Sequence, residues 1–206
     1  MKPDSALWEL ALAIAVADAS EFSRQLASTP LLAKACFHAG AGRQMAKNYF
    51  LDQIERYVYA GDTALHIAAA AYQTDMARIL IAAGADVRAK NRLGDEALHA
   101  ASVGRPGSHH WNPSAQTATI RFLIEAGADP DAADKRGVTP LHRAVRTRCA
   151  GAVKTLLDCG ADPARRNKSG STPMLLATQN TGRGGSGSPE AKQQQREILR
   201  LLEQRT

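Results

Sequence analysis

The sequence predicts an all-α fold, a solenoid of stacked helix-turn-helix hairpins with short projecting β-turn fingers. The first observation is an internal repeat: "GDTALHIAAA", "GDEALHAAS", "GVTPLHRAV" and "GSTPMLLAT" begin at Gly61, Gly94, Gly137 and Gly170, so that the starts lie 33, 43 and 33 residues apart. A period of 33 residues, lengthened to 43 in the second unit, is typical of stacked repeats. The second observation is composition, because alanine is frequent and aromatic residues make up only 5%. This favours closely packed helices over a β-sandwich.

Each unit is predicted to contain two helices. Thr63, Thr139 and Thr172 are suited to cap the first helix, and Pro140 and Pro173 occupy its first position. Apolar residues at helical spacing then predict the second helix. They are Ile79, Leu80 and Ile81; Ile120, Leu123 and Ile124; and Val153, Leu156 and Leu157.

A second landmark follows in three units: "AAGADVRAKN", "EAGADPDAAD" and "DCGADPARRN". Gly84, Gly127 and Gly160 in these segments end the second helix with a left-handed turn. The period, the T-P-L-H element and the G-A-D element together resemble the ankyrin repeat over residues 61–206. The chain is similar to small stand-alone bacterial ankyrin proteins with glycine-rich insertions. The resemblance implies that His66, His99 and His142 hydrogen-bond neighbouring turns and take no part in catalysis.

The repeats predict one continuous domain with four units at 61–93, 94–136, 137–169 and 170–206, the last ending in a capping helix. Residues 1–60 lack the G-A-D element and are predicted to form one or two degenerate helical hairpins that cap the stack. The segment "LDQIERYVYA", from Leu51 to Ala60, is predicted to be an apolar helix leading into Gly61.

Units two and four contain insertions between their helices, which carry the related sequences "GRPGS" and "GRGGS". Asn112-Pro113 and Ser188-Pro189 follow them, so each second helix is predicted to begin about one turn earlier than in unit three. The neighbouring loops form a candidate loop-edge site, with Cys149 nearby; its residues are Arg105, His109, His110, Trp111, Arg148 and Arg183. Three interpretations are open. They are an anion or acidic-peptide site, a metal site using His109 or His110 with Cys149, and packing of the loops under Trp111.

Positive charge is concentrated in the middle of the chain, which has a formal net charge of +6. Between Arg88 and Gly170 there are 14 Lys and Arg against 8 Asp and Glu. The candidate partner-binding residues on the fingers and first helices are Lys90, Arg92, Lys135, Arg136, Arg143, Arg146, Arg165, Arg166 and Lys168. Either they form a stripe for an acidic protein segment or phosphorylated ligand, or they are solvated and locally paired. Nucleic acid is less favoured, because aromatic residues do not interleave with these charges.

The ankyrin resemblance implies a non-catalytic adaptor, scaffold or inhibitor that meets a protein partner on a concave surface of fingers and first helices. The sequence has no nucleophile–base pairing, paired carboxylates or metal-ligand spacing. We therefore expect no enzyme, cofactor or metal; an enzymatic site at the glycine-rich loops is the remote alternative. The three cysteines are too few for a disulfide framework, which favours the cytosol. We expect a protein that is monomeric alone, without a membrane span, and its opening residues favour an amphipathic helix over a signal peptide.

Overall fold

The computed structural model describes residues 5–42, 46–108, 111–179 and 188–205, and these residues form five successive pairs of helices. In each pair the second helix packs against the first. The helices are α1 (Ser5–Ala15), α2 (Ala19–Ser28), α3 (Ala64–Ala70), α4 (Thr74–Ala82), α5 (Ala97–Ala101), α6 (Pro113–Glu125), α7 (Pro140–Arg146), α8 (Ala150–Asp158), α9 (Pro173–Thr178) and α10 (Pro189–Glu203).

The pairs stack in chain order. The first helices α1, α3, α5, α7 and α9 contact one another in succession, and the second helices α4, α6, α8 and α10 form a parallel layer in the same order. The predicted helical solenoid is confirmed. In the described part of the chain, no helix is long and apolar enough to cross a membrane.

Buried leucine and alanine residues form the core along the stack. Leu65, Leu98 and Leu141 have no exposed surface, and the same is true of the alanine three residues after each of them. The small alanine side chains allow neighbouring first helices to approach at the lower end of helix-packing distances. This explains why a chain with few aromatic residues can still build a continuous core.

The histidine after each of these leucines joins two neighbouring units. The backbone N–H of Thr63 donates to Nδ1 of His66, so the ring proton is on Nε2, which lies 3.0 Å from the carbonyl oxygen of Asp95 in the next unit. The same 3.0 Å contact joins His99 to Val138 and His142 to Ser171. The prediction that these histidines bond neighbouring turns is confirmed.

Units with a short loop end the first helix in a left-handed turn. Tyr72 and Arg148 have φ of 56° and 60°. The residues that follow them donate backbone N–H groups to the carbonyls of Ala68 and Ala144, at 2.9 and 3.0 Å. This is the Schellman arrangement, which satisfies a carbonyl that the helix leaves free.

Units with an insertion satisfy the equivalent carbonyl by a side chain. Nε2 of Gln116 donates to the carbonyl of Ala101 at 2.9 Å, and Nε2 of Gln195 donates to that of Ala177 at 2.7 Å. Both glutamines lie on second helices that are long, because α6 has 13 residues and α10 has 15, against 9 for α4 and α8. Asn112 and Ser188 cap them as predicted, so the earlier start of both helices is confirmed.

The N-terminal region contains one helical hairpin followed by irregular chain. Between α1 and α2, Ala17 adopts the left-handed turn found in the short-loop units, with φ of 58°. The predicted helix from Leu51 to Ala60 is wrong. Residues Phe50–Leu51 (β1) instead pair with Arg56–Tyr57 (β2) in an antiparallel hairpin. The rings of Phe50 and Tyr57 pack across the strands at 4.7 Å, a cross-strand aromatic contact that favours the extended conformation.

Candidate functional site

A groove of about 840 Å³ follows the first helices of the stack. Its lining includes the ends of α3, α5 and α7 and finger residues such as Arg92 and Lys135. The remaining lining comes from residues 53–59 around the β1–β2 turn and from the start of the unit-two insertion, residues 103–105. Fingers, first helices and two loops therefore line an open groove large enough for a peptide segment.

The charged residues that line the groove are mostly basic. The cations are Arg56, Arg92, Arg105, Lys135, Arg136 and Arg143, and the acids are Glu55 and Asp95. Such an excess of one sign in a cleft raises the local concentration of ligands with the opposite charge. The sequence predicted four of these cations as partner-binding residues. Arg105 was predicted only for the loop-edge site, and Arg56 was not predicted.

Part of this positive charge is compensated inside the groove. The guanidinium of Arg143 lies 2.8 Å from Asp95 and 3.3 Å from Asp134, and Arg136 lies 3.4 Å from Asp134. Burial opposes ionisation of Asp134, but backbone N–H donors and Arg143 outweigh it and lower the pKa of this carboxyl. Arg143 of unit three is therefore held in place by two acids of unit two, and these acids offset most of its positive charge.

Three exposed cations occupy the same position in successive fingers. Arg92, Lys135 and Lys168 each lie two residues before the glycine that begins the following unit. Their backbone N–H groups donate to carbonyls of the preceding finger at 2.7, 3.0 and 2.9 Å. We call these three residues the finger row. The hydrogen bonds fix the backbone of these residues at equivalent points along the stack.

The charge of the finger row is not compensated by acids. In the described part of the chain, neither Lys135 nor Lys168 has a side-chain ion pair or hydrogen bond. The guanidinium of Arg92 donates to the carbonyl of Ala41 at 2.7 Å and stacks 5.0 Å from the ring centre of Tyr59. Both partners are neutral, so Arg92 is oriented without losing its charge.

The other predicted cations are distributed around the fingers. Arg165 and Arg166 donate to the backbone carbonyls of Asp131 and Gly170. Lys90 lies 3.6 Å from Glu96, a carboxyl whose pKa is raised by its burial. Arg146 is half-buried in the last turn of α7. These residues do not line the groove.

The loops between helices pack closely at Trp111 and Cys149. A Cβ added at Gly104 would lie 2.6 Å from Nε1 of Trp111 and 2.7 Å from Sγ of Cys149, so only glycine fits between them. Nε1 of Trp111 donates to the buried Gln116 at 2.9 Å. Burial raises the pKa of the Cys149 thiol to about 11, which makes it a poor nucleophile or metal ligand at neutral pH.

The arginines predicted for the loop edge lie in different environments. Arg105 extends to Glu55 at the β1–β2 turn and forms an ion pair at 2.5 Å. Arg148 is only 3% exposed, and burial lowers its pKa. His109, His110 and Arg183 lie outside the described residues. Across the ranges that the structure describes, no three His, Cys, Asp or Glu residues are grouped to hold a metal ion.

Comparison with known families agrees with the stacked helix pairs. Residues 19–110 and 112–202 match the family model for ankyrin repeats (3 copies). The chain belongs to the ankyrin repeat family. Ankyrin repeats are generally protein–protein interaction modules, typically non-catalytic. No curated protein matches the chain.

Several groove residues of this ankyrin repeat protein were missed by sequence reasoning. Glu55, Arg56 and Tyr57 belong to the segment that was predicted to be helical. Tyr59 lies two residues before Gly61, the position that the finger row occupies in later units. This position relative to the glycine can be read from the repeat, so Tyr59 could have been predicted as a groove residue from the sequence. The other three have no equivalent in the later units, so only the folded chain reveals them.

Proposed function

We propose that this ankyrin repeat protein is a non-catalytic interaction module that binds an acidic segment of a protein partner in the groove. The observation that carries the proposal is the charge of the groove lining, together with the uncompensated finger row. The module acts as an adaptor, scaffold or inhibitor and binds as a monomer. Three free cysteines among the described residues support a reducing compartment such as the cytoplasm.

The contacts of each cation show whether it stabilises the fold or is available to attract a ligand. Arg143 bridges Asp95 and Asp134, and Arg136 pairs with Asp134, so removal of either arginine would disturb contacts within the fold as well as charge. Arg92 and Lys135 line the same groove and have no acidic partner among the described residues. These two residues supply the positive potential that an acidic segment would meet, and Lys168 continues it along the stack.

The first test measures binding of a labelled oligoglutamate peptide by fluorescence anisotropy. About ten residues, about 33 Å when extended, span several units of the stack. We expect the peptide to bind, and oligolysine of equal length not to bind. Raising salt from about 50 to about 200 mM should weaken the complex, because exposed charges are screened.

The variant for this test is Arg92→Glu with Lys135→Glu, and the matched control is Lys192→Glu with Arg196→Glu. The control residues are exposed on α10, away from the groove, and the change in net charge is the same. We expect the groove variant to lose about tenfold or more in affinity and the control to change little. Equal losses would show that net charge, not the groove, governs binding. Tighter binding of a single-stranded oligonucleotide than of oligoglutamate would overturn the protein-partner proposal.

A further inference from the structure

The finger row has a regular spacing that comes from the backbone. Gly94 and Gly137 adopt φ of 84° and 73°, the left-handed region that favours glycine. A Cβ at Gly94 would lie 2.8 Å from the backbone nitrogen of Lys135, and one at Gly137 would lie 3.0 Å from that of Lys168. Each finger therefore approaches the next through a bare glycine, directly at a residue of the finger row.

The spacing of the row is that of the stacked first helices. Helices packed through small side chains lie about 8–10 Å apart. An equivalent backbone hydrogen bond joins each finger to the one before it at Arg92, Lys135 and Lys168, so the row advances by one unit of the stack at a time. The row is thus a line of three positive charges with one charge per unit. A segment lying along it meets a cation about every 8–10 Å.

The conformation of the bound segment decides which of its residues meet this line. A polyproline II helix rises about 3.1 Å per residue with three residues per turn, so every third side chain is on the same side, about 9 Å from the last. In a β-strand, residues three apart are on opposite faces, and residues two apart are only about 7 Å apart. The polyproline II period matches the finger row, and the strand period does not.

We infer that the finger row selects a polyproline II segment of a partner protein with an acidic residue at every third position. This rests on the proposed function and adds a sequence rule to it. The three acids pair with Arg92, Lys135 and Lys168 in turn. Proline between the acids favours binding, because it sets the backbone in the required conformation before association and lowers the entropy cost.

The test uses three peptides of identical composition and charge: DPPDPPD, DPDPDPP and DDDPPPP. Affinity is measured by fluorescence anisotropy with the intact protein. We expect DPPDPPD to bind about fivefold more tightly than the other two, because only its acids reach all three cations. Equal affinity of the three peptides would overturn the inference.

A double-mutant cycle assigns the third contact. Lys168→Gln is combined with replacement of the last aspartate of DPPDPPD by asparagine; the control is Lys192→Gln on α10, which removes the same charge away from the fingers. If Lys168 pairs directly with this aspartate, we expect the two changes to be coupled by about threefold in affinity. We expect no coupling between the aspartate and Lys192→Gln. Additive losses in both cycles would contradict the assigned register.

The outcomes separate this inference from the proposed function. If oligoglutamate and all three proline peptides bind alike in a salt-dependent manner, the groove binds acidic segments and the three-residue rule is wrong. If oligoglutamate and the proline peptides all fail to bind, both are wrong. Selective binding of DPPDPPD supports both.

Discussion

At the residue scale, the repeated histidines are structural groups whose protonation is coupled to folding. Burial is the main cause that lowers the pKa of His66, His99 and His142 below the ordinary value of 6.5. At neutral pH each ring is uncharged in the folded chain, accepting a backbone N–H at Nδ1 and donating at Nε2. A proton on Nδ1 would remove the acceptor for the backbone N–H at the cap.

The first prediction concerns the pH dependence of stability. Because the folded pKa of each histidine is below its unfolded value, the unfolded chain takes up protons first as the pH falls. The free energy of unfolding is therefore highest above pH 6.5 and should fall below it, by up to about 1.4 kcal/mol per pH unit for each histidine. Urea denaturation at about pH 7.5 and about pH 5.5 measures the slope.

Two variants control this measurement. His142→Asn should reduce the slope by the contribution of one proton, whereas an unchanged slope would contradict the role of this residue. Burial raises the pKa of Glu96. Protonation of this carboxyl therefore stabilises the folded state as the pH falls, which offsets part of the loss caused by the histidines. The decline should accordingly be steeper in a Glu96→Gln background.

At the element scale, the same helix end is completed in two ways. Short loops use a left-handed residue and a backbone donor, as at Arg148. In unit two, Arg105 at the equivalent position is not left-handed. In both units with an insertion, a glutamine of the longer second helix donates to the carbonyl instead. The added length of α6 therefore has a structural purpose, because its added first turn carries Gln116, the donor to the open carbonyl.

The second prediction compares the two glutamines. Gln116 is buried and serves both the carbonyl of Ala101 and the indole N–H of Trp111, so Gln116→Ala should cost roughly 2–3 kcal/mol of stability. Gln195 is half-buried and serves one carbonyl, so Gln195→Ala should cost about 1 kcal/mol. Urea denaturation gives both values. Gln193→Ala, exposed on α10, is the control and should be neutral; a loss as large as that of Gln116→Ala would refute the argument.

At the scale of the whole molecule, an ion pair joins the N-terminal segment to the unit-two insertion beside the groove. Glu55 is the last residue of the β1–β2 turn, with φ of 48°, and its carboxylate pairs with the guanidinium of Arg105. Both residues line the groove. Glu55 thus places a carboxylate of the protein's own chain where an acidic ligand would otherwise pair with Arg105.

The third prediction follows from this competition. Glu55→Gln should raise the affinity for oligoglutamate a few-fold, about threefold, because Arg105 is released to the ligand. Stability should change by less than about 1 kcal/mol, because the pair is exposed. The same anisotropy titration and urea denaturation measure the two effects.

A closely matched control exists on α10. The side chains of Arg105 and Glu55 are 65% and 41% exposed, and those of the Arg200–Glu197 pair are 68% and 42% exposed. Glu197→Gln removes the same charge from an equivalent pair outside the groove. An equal gain in affinity from both variants would show that the effect is general charge and would contradict competition at Arg105.

The sequence by itself determined the stacked hairpins, the helix caps and the early start of α6 and α10, and its resemblance to ankyrin repeats implied the bridging histidines. These features depend on contacts three or four residues apart, or on contacts that recur with the period of the stack, so the pattern of residue types is sufficient to predict them. Position within the repeat also located Arg92, Lys135 and Lys168 on successive fingers.

Only the tertiary structure decided which of the predicted cations lie together and how much of their charge remains available. The pairs of Arg105 with Glu55 and of Arg143 with Asp95 join residues 50 and 48 positions apart, and their formation depends on where irregular segments come to lie. The β1–β2 hairpin is such a segment: its apolar spacing imitates a helix, but strand pairing and aromatic packing outweigh local preference. A periodic sequence pattern predicts contacts that recur from unit to unit, but not contacts that occur at one place only. The groove depends on contacts of the second kind.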